Sequence, residues 1–175
     1  MLTRIAAIQL QCTSNIDQNI SKITHLAKQA QNAGAKMAFL PECFDFVESS
    51  VEESYSQADL ITGRVITQIC SLAKESKMWF SLGGFHTKFH VGNLISPRLK
   101  NTHLIIDSDG KIVETYQKIN LFDMPGKYQE SEVIDGGNTL VSPVETPAGL
   151  LGLQIVKKRF KTLLSALIYV FQNLL

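Results

Sequence analysis

The run Lys36-Met37-Ala38-Phe39-Leu40-Pro41-Glu42-Cys43-Phe44 restricts the fold more than any other stretch, because it carries a short apolar segment straight up to a carboxylate. Ala38, Phe39 and Leu40 are bounded by Gly34 and Pro41, too close together for an ordinary helix, so the spacing predicts a core strand. Proline cannot donate to a sheet ladder, so the strand is expected to stop near Pro41 and the chain to turn outward. Glu42 then falls just past a strand's carboxyl end, where α/β sheets present ligand-binding groups. From position alone two readings stand: a solvated loop charge and a functional carboxylate.

The segments around this strand alternate in period. Residues 4 to 11 read as a strand, with Ala6, Ile8 and Leu10 on one face and Ile5, Ala7 and Gln9 on the other; both faces are largely apolar, so cover on both sides is expected. Ile16, Ile20, Ile23, Ala27 and Ala30 then follow helical spacing, with Asn15 or Asp17 as cap and Gly34 as terminator. This helix supplies the crossover that parallel pairing of the two strands requires. Residues 47 to 59 form an acidic loop or short helix. Val65, Ile66, Ile69, Leu72 and Ala73 mark a second helix over 63 to 76, and Met78 to Leu82 a second buried strand closed by Gly83-Gly84.

The glycines around His86 and His90 place that pair in a loop, where a structural or solvent-exposed role weighs more than a metal site. Residues 101 to 118 read as a hairpin turning at Ser-Asp-Gly-Lys, which sets Lys118 at a strand end on the side of Tyr116. The default for a lysine there is a snorkelling surface residue. Residues 121 to 147 lack a sustained period and read as a long functional or covering loop, after which a strand resumes from Leu150 to Val156. Beyond it, Phe160, Leu163, Leu164, Leu167, Ile168, Phe171, Leu174 and Leu175 follow helical spacing behind Lys157, Lys158, Arg159 and Lys161, an amphipathic segment too short to span a membrane.

Composition excludes several classes. A chain of 175 residues with a net charge of +1, both signs spread along it, gives no electrostatic ground for a nucleic acid or anionic membrane partner. The three cysteines, Cys12, Cys43 and Cys70, lack the paired spacing of a zinc site or a disulfide framework, and read as reduced thiols of a cytoplasmic protein. No basic leader or long apolar region precedes Arg4, so no targeting segment is expected.

Six ordered blocks carry a resemblance: Leu-Pro-Glu-Cys-Phe at 40 to 44, Ser-Leu-Gly-Gly-Phe-His at 81 to 86, Asn-Thr-His at 101 to 103, Tyr-Gln-Lys-Ile-Asn-Leu-Phe-Asp at 116 to 123, Gln-Glu-Ser at 129 to 131 and Thr-Pro-Ala-Gly at 146 to 149. Together they resemble the nitrilase superfamily of carbon-nitrogen hydrolases, and within it the Nit-type amidase branch that includes deaminated-glutathione amidase. The resemblance implies an α/β fold of the αββα sandwich kind, incomplete in this chain, with residues 1 to 156 as the amino-terminal part of the hydrolase domain and 157 to 175 as a divergent tail. It implies that Glu42 is a general base, Lys118 an oxyanion-stabilising lysine and Glu130 the glutamate that orients the lysine and substrate, with no metal or organic cofactor. A small linear amide such as deaminated glutathione is the implied ligand, and a second copy or a full-length relative the implied partner.

In the resembled pattern a cysteine ends the strand after Thr-Pro-Ala-Gly, whereas Val156 stands at that position here. Valine has no lone pair with which to attack a carbonyl, so a chain without turnover is expected. A non-catalytic interaction or regulatory protein is the second reading.

Overall fold

The computed structural model describes residues 2–47, 50–124, 126, 128–155 and 170–171. The first three elements follow the expected order: β1 (Ile5–Ala7), α1 (Ile16–Asn32) and β2 (Met37–Glu42). α1 begins where Asn15 accepts the backbone N–H of Gln18 with its side chain, and ends at Gly34, whose φ of +81° suits glycine. β1 pairs parallel with β2, Ala6 opposite Ala38, across the helical crossover. Ala6, Ile8 and Leu10 pack toward the helices as expected, but Ile5 is exposed, so β1 is covered on one side and not on two. Among the described residues it is the outermost strand of the sheet.

A short helix α2 (Val51–Gln57), capped by Ser50, and the two-residue β3 (Asp59–Leu60) lead into α3 (Arg64–Ser76). The long β4 (Trp79–Val91) and β5 (Leu94–Ile106) follow, and the turn with Gly110 at φ +80° connects β5 to β6 (Ile112–Gln117). These strands form one six-stranded sheet in the order β1-β2-β4-β5-β6, with β3 against the far end of β4. β2 and β4 run parallel, and β4, β5 and β6 are antiparallel.

Gly83-Gly84 does not close the second strand. β4 runs through both glycines and carries His86 and His90 within the sheet, with a register shift against β5 between Leu82 and Phe85. Their purpose is close approach: a Cβ on Gly83 would lie 2.6 Å from the Leu40 carbonyl oxygen, and one on Gly84 would lie 2.9 Å from Glu42 Cγ. β2 likewise continues through Pro41, and Glu42 pairs opposite Gly84 as the strand's last residue, where the sequence placed it just beyond the strand.

The sheet buries two faces. Ile20, Ile23 and Ala27 of α1 and Val65, Ile66, Ile69 and Ala73 of α3 pack on Ala38, Leu40, Phe80, Leu82, Leu104 and Ile106. On the opposite side Met37, Phe39, Ile105 and Tyr116 meet Leu151, Leu153 and Ile155, so the segment after the long loop does share the sheet's core. Among the described residues that segment is a strand only at β10 (Gly149–Leu151), which pairs with β9 (Val144–Thr146) and not with the main sheet.

Val156 and the greater part of the expected carboxyl-terminal helix lie outside the described residues. Val170–Phe171 is a short strand, β11, antiparallel to β10, and so departs from the helical spacing read there. No helix among the described residues is long and apolar enough to cross a membrane.

His103 sits on the second face, its Nε2 2.8 Å from Ser81 Oγ and its Nδ1 3.4 Å from the Gln154 carbonyl. Burial depresses its pKa to about 4, only partly offset by that carbonyl. A histidine kept neutral in the fold takes up its proton first in the unfolded chain, so stability is full above about pH 6.5 and falls as pH drops toward 4. Denaturation midpoints measured across that window should decline, and His103→Gln should flatten the decline.

Gly83→Ala is expected to cost roughly 1–3 kcal/mol in urea unfolding, because the obstructing atoms are backbone and cannot swing away. Gly152→Ala, where an added Cβ meets nothing within 4 Å, should stay within about 0.5 kcal/mol.

Candidate active site

Three chain segments bring charge to one point. Glu42 ends β2, Lys118 follows β6, and Glu130 opens a single 3-10 turn (Glu130–Glu132) behind the short hairpin of β7 (Asp123–Met124) and β8 (Tyr128–Gln129). Lys118 Nζ lies 2.9 Å from Glu42 Oε1, and 3.1 Å and 2.9 Å from the two oxygens of Glu130. The lysine is buried rather than snorkelling, since only 4% of its side chain is exposed, against 36% for that of Glu42. A buried ammonium requires partners close enough to replace its water, and both are carboxylates.

Each member is held by backbone as well. Lys118 donates its N–H to the Asn101 carbonyl at 2.9 Å. Glu130 Oε2 accepts the Phe122 N–H at 2.7 Å, and the Phe122 carbonyl accepts the Glu130 N–H at 3.0 Å. Behind Glu130, Arg98 of β5 donates to the carbonyls of Ser131, Glu132 and Ile134 and pairs with Asp135, so one guanidinium fixes the turn that aims the second glutamate.

Asn101 completes the cluster. Its Nδ2 donates to Glu42 Oε1 at 2.7 Å and lies 3.4 Å from Glu130 Oε1, while its buried Oδ1 meets no donor among the described residues. A Cβ on Gly84 would stand 2.6 Å from that oxygen, so the glycine keeps room beside it.

Burial works against the charge on Lys118, and the Glu42 and Glu130 carboxylates outweigh it, raising the lysine's pKa above its ordinary value. The arrangement can hold a proton-accepting carboxylate at the protein surface beside an ammonium that cannot leave. The expected site residues Glu42, Lys118 and Glu130 are thus brought together. Val156 lies outside the described residues.

A carbon-nitrogen hydrolase family model matches residues 4–169. The chain belongs to that family. It is 35% identical to deaminated glutathione amidase of Bos taurus over 172 residues, covering 95% of this chain and 52% of the relative. With the Dictyostelium discoideum protein of the same name it shares 39% over 165 residues, covering 88% and 55%. The fold overlays on the NitFhit protein of C. elegans with a TM-score of 0.74 at 33% identity, covering 86% of this chain and 37% of that one. A Nesterenkonia amidase of the nitrilase superfamily, 18% identical, shares the fold at a TM-score of 0.63 over 83% of this chain and 52% of that one. The chain therefore spans about half the length of the curated relatives it matches.

Sequence reading missed Asn101 and Arg98. Asn101 lies in one of the quoted blocks, but nothing in its spacing shows that it faces two carboxylates. Arg98 carries no signal, because its role depends on where residues 131 to 135 return in space. The pair His86 and His90 divides: His86 is buried against Asp45 and His90 is exposed. No group of three or more His, Cys, Asp or Glu among the described residues is arranged to hold a metal.

Lys118→Met is expected to cost about 3–5 kcal/mol, since it leaves the Glu130 carboxylate buried without a counter-charge. The sign with pH follows from the raised pKa: the lysine's contribution is complete below the usual lysine range and is lost as pH climbs through its folded value. Urea unfolding of both proteins should show the gap at neutral pH and its narrowing at strongly alkaline pH.

Proposed function

We propose that the chain binds small linear amides at the Glu42–Lys118–Glu130 cluster and does not turn them over. The observation that carries this reading is the lysine ammonium within 3.1 Å of both carboxylates, with one of them open to solvent. In the roles the family resemblance gives them, Glu42 is the base that draws a proton from a nucleophile, Lys118 meets the charge developing on the amide oxygen, and Glu130 fixes the lysine.

Asn101 adds an acceptor suited to an amide N–H, because its buried Oδ1 has no donor among the described residues. The substrate class also has the support of the relatives' names, deaminated glutathione amidase and, at 33% identity, human omega-amidase.

The reading of no turnover rests on the sequence. Val156 occupies the position at which the resembled pattern has its cysteine. Without a nucleophile, a comparable acyl-transfer site keeps only the roughly 10³–10⁴ over water that its binding groups supply. A second copy or a full-length relative is the proposed partner, and a cytoplasmic location goes with the reading of the cysteines.

Purified protein is to be incubated with deaminated glutathione and other linear ω-amides while ammonia release and calorimetric binding are followed. The expected outcome is binding without ammonia above the buffer control, weakened about tenfold or more in Glu42→Gln, the size of one hydrogen bond to a charged group. Turnover that Glu42→Gln abolishes would overturn the reading. Association with a full-length relative and no amide binding would favour the non-catalytic interaction protein.

A further inference from the structure

A second cluster of reactive groups lies beside the first and takes no part in it. Cys43 follows Glu42 at the end of β2 and turns through a φ of +55°, with its N–H bonded to the Gly84 carbonyl at 3.0 Å. A side chain in that conformation is uncommon for a residue other than glycine, asparagine or aspartate, and here it leads the sulfur to an imidazole. Cys43 Sγ lies 3.9 Å from His86 Nε2. The other ring nitrogen, Nδ1, is 3.0 Å and 3.1 Å from the two oxygens of Asp45, which is fully buried.

Asp45 is locked in turn. Its Oδ2 accepts the His86 backbone N–H at 3.1 Å, and its carbonyl accepts Asn19 Nδ2 at 2.9 Å. Phe46 stacks on the imidazole with ring centres 4.4 Å apart. The ring therefore has one orientation, with Nδ1–H given to Asp45 and Nε2 aimed at the sulfur.

The other two thiols have no such arrangement. Burial and the Asp45 charge push Cys12 up, and burial and the Asp107 charge push Cys70 up. At Cys43 burial likewise pushes the thiol up, and the imidazole pulls against that rise without cancelling it. Burial opposes a charge on His86, and Asp45 outweighs burial, so the imidazole holds its proton well beyond its ordinary range. All three cysteines are partly exposed, Cys43 the most deeply set of them, so access does not favour it.

We propose that Cys43, His86 and Asp45 form a thiol–imidazole–carboxylate array that makes Cys43 the chain's preferred site of covalent modification by small soft carbon electrophiles, such as haloacetamides and α,β-unsaturated amides. The charged imidazole hydrogen-bonds the sulfur as the thiol gives its proton to water. With a haloacetamide the S–C bond forms as the carbon–halogen bond breaks, and the halide leaves with the electron pair. With an unsaturated amide the sulfur bonds the β-carbon and the α-carbon takes a proton from water. Glu42, Lys118 and Glu130 transfer no proton and form no bond in this step, and the Glu42 charge opposes the thiolate, so the step stands whether or not the amide site binds its ligand.

The full chain is to be treated with limiting iodoacetamide near neutral pH, and alkylation of each cysteine followed in time by peptide mass spectrometry. Cys43 should be modified about tenfold or more faster than Cys12 and Cys70, the size of one hydrogen bond from a charged group to the attacking sulfur. In His86→Gln the excess should vanish, with circular dichroism reporting whether that variant folds. The ranking in the unmodified sequence decides the matter even if the variant does not fold: Cys43 reacting no faster than either other thiol overturns the proposal. An excess that survives in folded His86→Gln overturns it too.

Discussion

One buried ammonium ties together parts of the chain that nothing else obliges to meet. Lys118 reaches Glu42, 76 residues away, and Glu130, 12 residues away, and its nitrogen has almost no contact with water. The cost of burying that charge is several kcal/mol unless both carboxylates stand close. The end of β2, the end of β6 and the turn after β8 are therefore not independent loops around a core. Displacing any one of them strands charge on the other two.

Two devices make the meeting possible, and neither is part of the charge cluster. The first is Gly83-Gly84, which lets β4 pass so near β2 that the Leu40 carbonyl lies where a side chain would begin. That approach places Glu42 opposite Gly84 and within reach of Asn101 on β5. The second is Arg98, which holds three carbonyls of residues 131 to 134 and the Asp135 carboxylate. The turn keeps Glu130 aimed because a guanidinium spans it and Val133 and Ile134 are buried just behind it.

The helices were legible in the sequence and the charge cluster was legible only by resemblance, for a physical reason. α1 and α3 bury one face each, and a 3.6-residue period records which residues do so. Lys118 offered no such record: a lysine at a strand end is a surface residue unless something distant compensates it, and its partners lie 12 and 76 residues off. The glycines misled for a related reason. A glycine that closes a strand and a glycine that lets another strand come near read alike until the neighbouring strand is seen. The apolar outer face of β1 misled differently, since an apolar residue on an edge strand is not evidence of cover.

The two sulfur and carboxylate clusters also bear on each other through the backbone. Glu42 and Cys43 are adjacent, yet Glu42 turns to Lys118 and Cys43 to His86, so the positive φ at Cys43 is where the chain divides two chemistries. Asp45 anchors the second by clamping both the ring and the backbone N–H of His86, and His86 lies on β4 two residues beyond Gly84. The same strand thus supplies the close approach that seats Glu42 and the imidazole that faces Cys43. Relaxing β4 at its glycines would loosen both clusters together, whereas removing the Lys118 charge would disturb the first and leave the Asp45–His86 contact with its own partners. The sheet, and not the charges, is what the two sites share.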